Sequence, residues 1–546
     1  MAVGFVFSGT RVRRALGASA AALNLAGLAA GFLYTLVPSA EAAGHLFGWI
    51  LPAAVADACV VCSMPRAPRR PSAVYLAWTG LGFAILPFLL IARAGFLTPF
   101  VFDAASRLVV LGSLGSGFVA AVSRPSSGRP DFAGKDRRAR PAAAAAGFFV
   151  GIAALAIAAR FLTGPHPRTA GVLIPQCLPY WSLSFLAVGA ATARSGGGES
   201  STRRGAGLLA LPAVAAAILG GMPVYQTPGV LRTAEREFTR VFEEGPGPQD
   251  REGSDTAAFS PGRMFLGTPA GRILPILDVP YLAETVPDGR TFTFRYDAWP
   301  PNQKGPRPVL IRIHGGAWVS GDKGYGNINN VNRHFASRGY LVFDLQYGLA
   351  ETGTFRPRSP TPEGMLGPYG IEDMLRHIGR FTTYLADRAE ELGADTSRVF
   401  VSGASAGGHL ALAVALAGAS GYTREHPGTG PDPRVTIRGV IPFYPGIGYA
   451  ASMGIPTPAE LDFLEPLLGP ANPPALFYQG SLDGMVDPAR VRGFVEAYNR
   501  AGGGSAVLVE FPSAGHGSDL IFWNPYGQVF LRYMERFMDR FSGQNP

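Results

Sequence analysis

The sequence predicts two unlike halves: an all-α bundle of about seven transmembrane helices, then an α/β domain on a mostly parallel sheet. Three observations predict it. Only 16% of the 546 residues are charged and 47% are hydrophobic, against roughly 25% charged in an ordinary soluble protein. Apolar stretches of near-spanning length recur through the first 226 residues. Beyond residue 276, short β-rich runs alternate with helical ones, as in a parallel sheet covered by helices. The boundaries read as a membrane domain over 1–226, an amphipathic segment and linker over 227–275, and the α/β domain over 276–546.

The apolar stretches fall at about 16–37, 46–64, 73–93, 105–122, 142–163, 171–192 and 205–224. Most approach the roughly 20 residues that a helix needs to cross hydrocarbon. Basic residues concentrate at the N-terminus (Arg11, Arg13, Arg14) and in alternate loops: Arg66, Arg69 and Arg70; the group from Arg124 to Arg140; and Arg194, Arg203 and Arg204. The intervening loops are poorer, with Arg93, Arg107, Arg160 and Arg168 near helix ends. That alternation predicts a cytoplasmic N-terminus and an extracytoplasmic α/β domain, integral to a bacterial plasma membrane. The run before Ala42 mimics a secretory signal but is longer than a signal core, so an uncleaved span is expected.

The basic excess belongs to this half. Residues 1–230 hold 19 of the 48 Lys and Arg and 6 of the 39 Asp and Glu, which leaves the remainder net acidic. No basic stripe with interleaved aromatics marks the α/β half, so nucleic acid is not an expected partner. Asp57 is the main ionisable residue inside a predicted span and reads as facing the bundle interior. Cys59 and Cys62, spaced CxxC, read as small hydrophobes at a helix end. With Cys177 they are the only cysteines, so the α/β half carries no disulfide.

Leu231 to Phe242 (LRTAEREFTRVF) reads as an amphipathic helix suited to a membrane surface. Glu243 to Arg263 reads as a flexible connector. Strands are expected near 278–284, 291–297, 309–313, 340–345, 398–402, 439–444, 475–478 and 506–511. Helices are expected over 329–338, 371–392, 406–417, 488–501 and 526–541. The segments 350–370 and 446–470 are long enough to form a lid.

The chemistry concentrates in four places. Gly403-Ala404-Ser405-Ala406-Gly407 follows a strand and opens a helix. A turn that lifts a serine hydroxyl off a sheet needs small neighbours, and the helix behind it offers N–H groups to negative charge. Ser405 is the expected nucleophile. His314-Gly315-Gly316-Ala317-Trp318 follows VLIRI. Glycines there allow N–H groups to turn inward, so Gly315, Gly316 and Ala406 are the expected oxyanion donors. His314 and Trp318 are supporting residues. Among downstream histidines, His409 lies on the elbow helix, His426 in a Pro/Gly-rich loop, and His516 directly after a strand, where a general base belongs. Asp483, just past ALFY, is the expected partner of His516, with Asp487 its rival. Trp318, Tyr325, Tyr347 and Tyr444 are candidates to line a pocket or to pack in the core.

These runs (HGGAW, GASAGGHLA, GSLDGMVDP and AGHG) resemble the HGG-type carboxylesterase and lipase branch of the α/β-hydrolase superfamily, in particular its hormone-sensitive-lipase-like and bacterial acetyl-esterase-like members. Ala404 and the Leu345–Leu349 run depart from the usual pattern. The resemblance implies acyl-ester hydrolysis through an acyl-serine, with no metal and no cofactor. The expected function is a membrane-anchored serine esterase or lipase. Its expected partners are an ester substrate, such as a lipid or an acylated envelope glycan, and membrane lipid. Two alternatives stay open: an acyltransferase to a lipid or glycan acceptor, and a transporter or sensor with a ligand-binding hydrolase-like domain.

Overall fold

A computed structural model describes residues 133–162, 164, scattered positions between 175 and 193, 200–243, 259–266 and 273–543, except 304, 325–327, 353–360, 363, 503–504 and 523. The four spans predicted before residue 123, Asp57, the CxxC pair, the site near Ala42 and Tyr325 lie outside the described residues. The chain divides into two compact units. Helix α2 and most of α1 fall in the first, and Met222–Pro546 falls in the second.

In the first unit, α1 (Ala133–Leu162) and α2 (Ser200–Gly220) cover the predicted stretches 142–163 and 205–224. They meet through small residues. A Cβ on Gly151 would stand 2.7 Å from the backbone nitrogen of Ala213, the close approach that Gly and Ala permit between apolar helices. Among the described residues, one helical stretch, Arg204–Phe242, is long and apolar enough to cross a membrane.

The second half of that stretch is α3 (Met222–Phe242), and here the structure departs from the expectation of a membrane-surface segment and linker over 227–275. Its apolar stripe, Thr227, Val230, Ala234, Phe238 and Phe242, is buried. Phe238 packs 5.6 Å from Tyr533 and Phe242 5.3 Å from Phe537, ring centre to ring centre. Arg536 bridges Glu235 at 2.7 Å and Glu243 at 2.8 Å. The amphipathic face meets protein, and α3 belongs to the C-terminal unit. Ser260, in the predicted connector, is also tied down, its N–H donating to Gln528 Oε1 at 2.9 Å.

The C-terminal unit is built on eight strands: β1 (Ile276–Thr285), β2 (Thr291–Trp299), β3 (Arg307–Ile313), β4 (Leu341–Leu345), β5 (Ala394–Ala404), β6 (Ile437–Phe443), β7 (Ala475–Gly480) and β8 (Ala506–Phe511). Their spatial order is β1-β2-β4-β3-β5-β6-β7-β8. β1 and β2 pair antiparallel, as do β2 and β4, and the remaining pairs are parallel. Pro308 through Ile313 are all buried, so both faces of β3 are covered, as a parallel strand requires.

The helices that cover the sheet are α4 (Ile328–Ser337), α5 (Ile371–Asp387), α6 (Ala406–Ser420), α7 (Pro488–Arg500) and α8 (Pro525–Ser542). α6 is apolar on every side, and Ala406 through Ala417 are buried, which marks it as the central core helix. The helix expected over 371–392 breaks at Arg388 (φ −117°, ψ 18°), and a short turn, Ala389–Leu392, follows it. The 446–470 segment packs on the core through Ile447, Ala450, Leu461 and Leu464. Leu349–Ala350 pairs with Leu366–Gly367.

Candidate active site

Ser405 stands between the end of β5 and the start of α6, as the N-cap of that helix. Its φ of 56° and ψ of −118° lie in the left-handed half of backbone space, which costs about 1–3 kcal/mol for a residue with a side chain. The surroundings enforce the turn. A Cβ on Gly403 would stand 2.3 Å from the carbonyl oxygen of Gly407, and one on Gly407 2.1 Å from that of Ile313. The Ser405 N–H donates to the Phe443 carbonyl at 2.9 Å, and the Gly446 N–H to the Ser405 carbonyl at 3.2 Å. The serine is thereby pinned to the end of β6.

His516 stands on the loop after β8, between two oxygens. Its Nδ1 is 2.8 Å from Asp483 Oδ2 and its Nε2 is 2.9 Å from Ser405 Oγ. An ionised carboxylate can only accept, so Nδ1 carries the proton and Nε2 accepts from the serine hydroxyl. Asp483 is buried. Burial opposes its charge, yet the adjacent His516 and the N–H groups of Val486 and Met485 hold its carboxyl below the usual carboxylate range. Those two N–H groups donate to Oδ1 at 2.9 and 2.8 Å. The Asp483 and His516 loops touch at Gly480, where a Cβ would meet the Ala514 carbonyl oxygen at 2.4 Å.

The loop after β3 lies against the serine turn. A Cβ on Gly315 would stand 2.7 Å from the Ala404 carbonyl oxygen and 3.4 Å from Ser405 Cβ. Gly316 has φ 125°, and a Cβ there would stand 1.9 Å from the Ser320 carbonyl oxygen, so both positions demand glycine. His314 braces this loop: its Nδ1–H donates to the Gly315 carbonyl at 2.8 Å, and its ring stacks on Tyr347 at 4.4 Å. The Tyr347 hydroxyl donates to the His314 carbonyl at 2.8 Å. Burial pushes the His314 imidazole down to about 4, which keeps it neutral near pH 7. Trp318 is buried, edge-on to His409 at 5.4 Å.

The structure thus brings Ser405, Asp483 and His516 together and sets Gly315 and Ala406 beside the serine, with Gly316 next in the same loop. The other two histidines downstream of Ser405 are engaged elsewhere. His409 Nε2–H donates to the Leu461 carbonyl at 2.7 Å. His426 Nδ1 lies 2.9 Å from Glu372. Trp318 and Tyr347 pack in the core.

Three neighbours of the site carry no sequence motif. Gln479 Nε2 donates to Asp483 Oδ2 at 3.1 Å. The Tyr444 ring lies 4.3 Å from the His516 ring. Its hydroxyl donates to the buried carboxylate of Asp519. Burial raises the Asp519 carboxyl, with Tyr444 and Arg312 working against the rise. The one available signal was Tyr444 itself, an aromatic residue at a strand end.

A serine on a strained strand-to-helix turn, after the fifth strand of a sheet ordered 1-2-4-3-5-6-7-8, is the architecture of an α/β-hydrolase, and the C-terminal unit has that fold. A family model described as BD-FAE matches residues 298–450, from the end of β2 through Ser405 to the loop after β6. Two curated relatives come from Mycobacterium tuberculosis. "Probable carboxylic ester hydrolase LipM" is 25% identical over 238 residues, covering 40% of this chain and 51% of its own. Esterase LipC is 28% identical over 241 residues, covering 40% and 54%. The chain therefore spans about half the length of these relatives. Among solved structures, propionate-bound Thermogutta terrifontis esterase 2 is 19% identical, covering 51% of this chain and 97% of that one at a TM-score of 0.39.

Proposed function

We propose that this chain is a membrane-anchored carboxylic ester hydrolase that works through an acyl-serine. The observation that carries the reading is the hydrogen-bonded line from Asp483 through His516 to Ser405, ending on a serine in a strained turn. Ser405 Oγ attacks the ester carbonyl carbon while His516 Nε2 takes its proton. The N–H groups of Gly315, Gly316 and Ala406 receive the oxyanion that forms. Collapse breaks the bond to the leaving alcohol, which takes the proton from His516. Water, deprotonated by His516, then attacks the acyl-serine; the acyl bond to Ser405 Oγ breaks, the acid leaves, and His516 returns the proton to Ser405 Oγ. Asp483 holds the reactive tautomer and offsets the imidazolium charge.

The curated relatives named as esterases support the reaction class. Anchoring rests on the apolar α2 and on the apolar stretches of the first 226 residues. The alternation of arginines supports a bundle of about seven helices with the catalytic unit on the extracytoplasmic face. An ester presented at the membrane surface, lipid or acylated glycan, suits that location. The acyl-serine would equally serve transfer to an alcohol acceptor, and product analysis with added alcohols separates transfer from hydrolysis.

The test uses the full chain in detergent or native membranes. A fluorophosphonate probe should label the wild-type chain, and short p-nitrophenyl esters should turn over. Ser405→Ala should abolish both. A wild-type chain that folds, takes no probe and turns over no ester would leave a ligand-binding module in place of an enzyme.

A further inference from the structure

The loop that carries His516 runs from Phe511, at the end of β8, to Asn524, the residue that caps α8. Residues from far upstream hold it at both ends. At its start, the Ser513 hydroxyl donates to Gln226 Oε1 at 2.6 Å. The Tyr526 hydroxyl donates to the same oxygen at 3.2 Å and accepts the Ser513 N–H at 3.3 Å. At its far end, Asn524 Nδ2 donates to Gln176 Oε1, and Gln176 is buried.

Gln226 lies in the second turn of α3, and α3 begins two residues after the apolar α2 ends. The rest of α3 cannot drift from the catalytic unit. The Tyr533 hydroxyl donates to the Leu231 carbonyl at 3.0 Å, Arg536 joins Glu235 and Glu243, and the Arg536 guanidinium lies 4.7 Å over the Phe238 ring.

Ser513 stands three residues before His516, and little slack separates them. The Ala514 N–H donates to the Phe511 carbonyl at 3.2 Å, and the Leu482 N–H donates to the Ala514 carbonyl at 2.9 Å. A shift of Ser513 is therefore transmitted to the imidazole that stands 2.9 Å from Ser405 Oγ. A misplacement of about 1 Å at a reacting group costs about 100-fold in rate.

We propose that Gln226 is a positioning residue for His516, so that the helix leading out of the apolar half is part of the catalytic apparatus as well as its tether. The proposal rests on the reading of His516 as general base. The acceptor oxygen of Gln226 orients the Ser513 and Tyr526 hydroxyls. Those hydroxyls fix the start of the His516 loop, while Gln176 seats its end through Asn524.

The test compares four full-chain variants in detergent: Gln226→Leu, Gln226→Glu, Ser513→Ala and the Leu/Ala double. Each is measured for kcat and KM on p-nitrophenyl butyrate, for the fluorophosphonate labelling rate and for melting temperature. Gln226→Leu should lower kcat and labelling rate about 10- to 100-fold while KM stays within about twofold. Gln226→Glu keeps an acceptor oxygen and should restore kcat to within about threefold of wild type. Ser513→Ala should reproduce the loss, and the double variant should lose no more than the worse single one, as members of one unit do. Wild-type kcat in Gln226→Leu, or additive losses in the double, would overturn the proposal. If Gln226→Leu does not fold, Ser513→Ala decides alone, and wild-type kcat there overturns it. A wild-type chain that neither labels nor turns over ester would sink the hydrolase reading and this one with it. An active wild type with indifferent variants sinks this one alone.

Discussion

Asp487 stands four residues after Asp483 on the loop between β7 and α7, and the two carboxylates serve different elements. Asp483 is buried and holds His516 Nδ1 at 2.8 Å. Asp487 caps α7, its Oδ1 accepting the Ala489 N–H at 2.9 Å. Asp483→Asn should therefore lower kcat/KM by about four orders of magnitude, through loss of the reactive tautomer. Asp487→Ala should cost about 0.5–2 kcal/mol of stability and leave kcat close to wild type. Ester kinetics and melting curves on both variants check this. Equal kinetic losses would reverse the two assignments.

The strain at Ser405 should be measurable as stability. Glycine adopts φ of 56° without a Cβ penalty, so Ser405→Gly should be inactive yet more stable by about 1 kcal/mol or more. Thermal denaturation of the full chain is the measurement. A melting temperature below wild type would contradict the strained turn.

Phe238 tests whether α3 belongs to the catalytic unit. It is fully buried against Tyr533 and beneath Arg536. Phe238→Ala should cost about 3–5 kcal/mol. The loss should appear as a lower midpoint for heat inactivation of esterase activity. An unchanged midpoint would return α3 to the status of a tether.

Asp344 supplies a pH dependence with a defined sign. Burial pushes its carboxyl up to about 7, helped by Asp297 and Asp322 and opposed by the Gly324 N–H and Arg312. An unfolded aspartate titrates near about 3.9. A raised folded value means that the folded state holds the proton longer. The contribution to stability is thus full below about pH 4 and is lost as pH rises through about 7. Asp344→Asn removes that penalty, so it should melt above wild type at pH 8 and converge with it near pH 4. Parallel melting curves at all pH values would show that Asp344 does not titrate in this way.

The serine turn and the glycine loop were legible because their constraints are local. Gly403 and Gly407 flank Ser405 within five residues, and the space they must leave open is set by their immediate neighbours. The strands were legible because β3 and β7 are buried on both faces and so carry short apolar runs, residues 309–311 and 475–478. The helix break at Arg388 was not, since residues 371–392 contain no proline and their one glycine, Gly379, lies inside the unbroken first part. Asp519 was hidden for another reason: its partner Tyr444 stands 75 positions upstream, at the end of β6. α3 was read as a membrane-surface segment because an amphipathic face shows the same periodicity whether lipid or protein covers it.

By itself, the sequence determined which residues could do chemistry and how the chain turns around them. Apolar runs, glycine spacing and strand-to-helix order act over a few residues and leave a periodic trace. The tertiary structure decided which carboxylate meets His516, what covers α3, and that Gln226 reaches Ser513 across 287 positions. Those contacts depend on the order in which strands pair and on the direction in which loops leave them, and no local pattern of side chains records either.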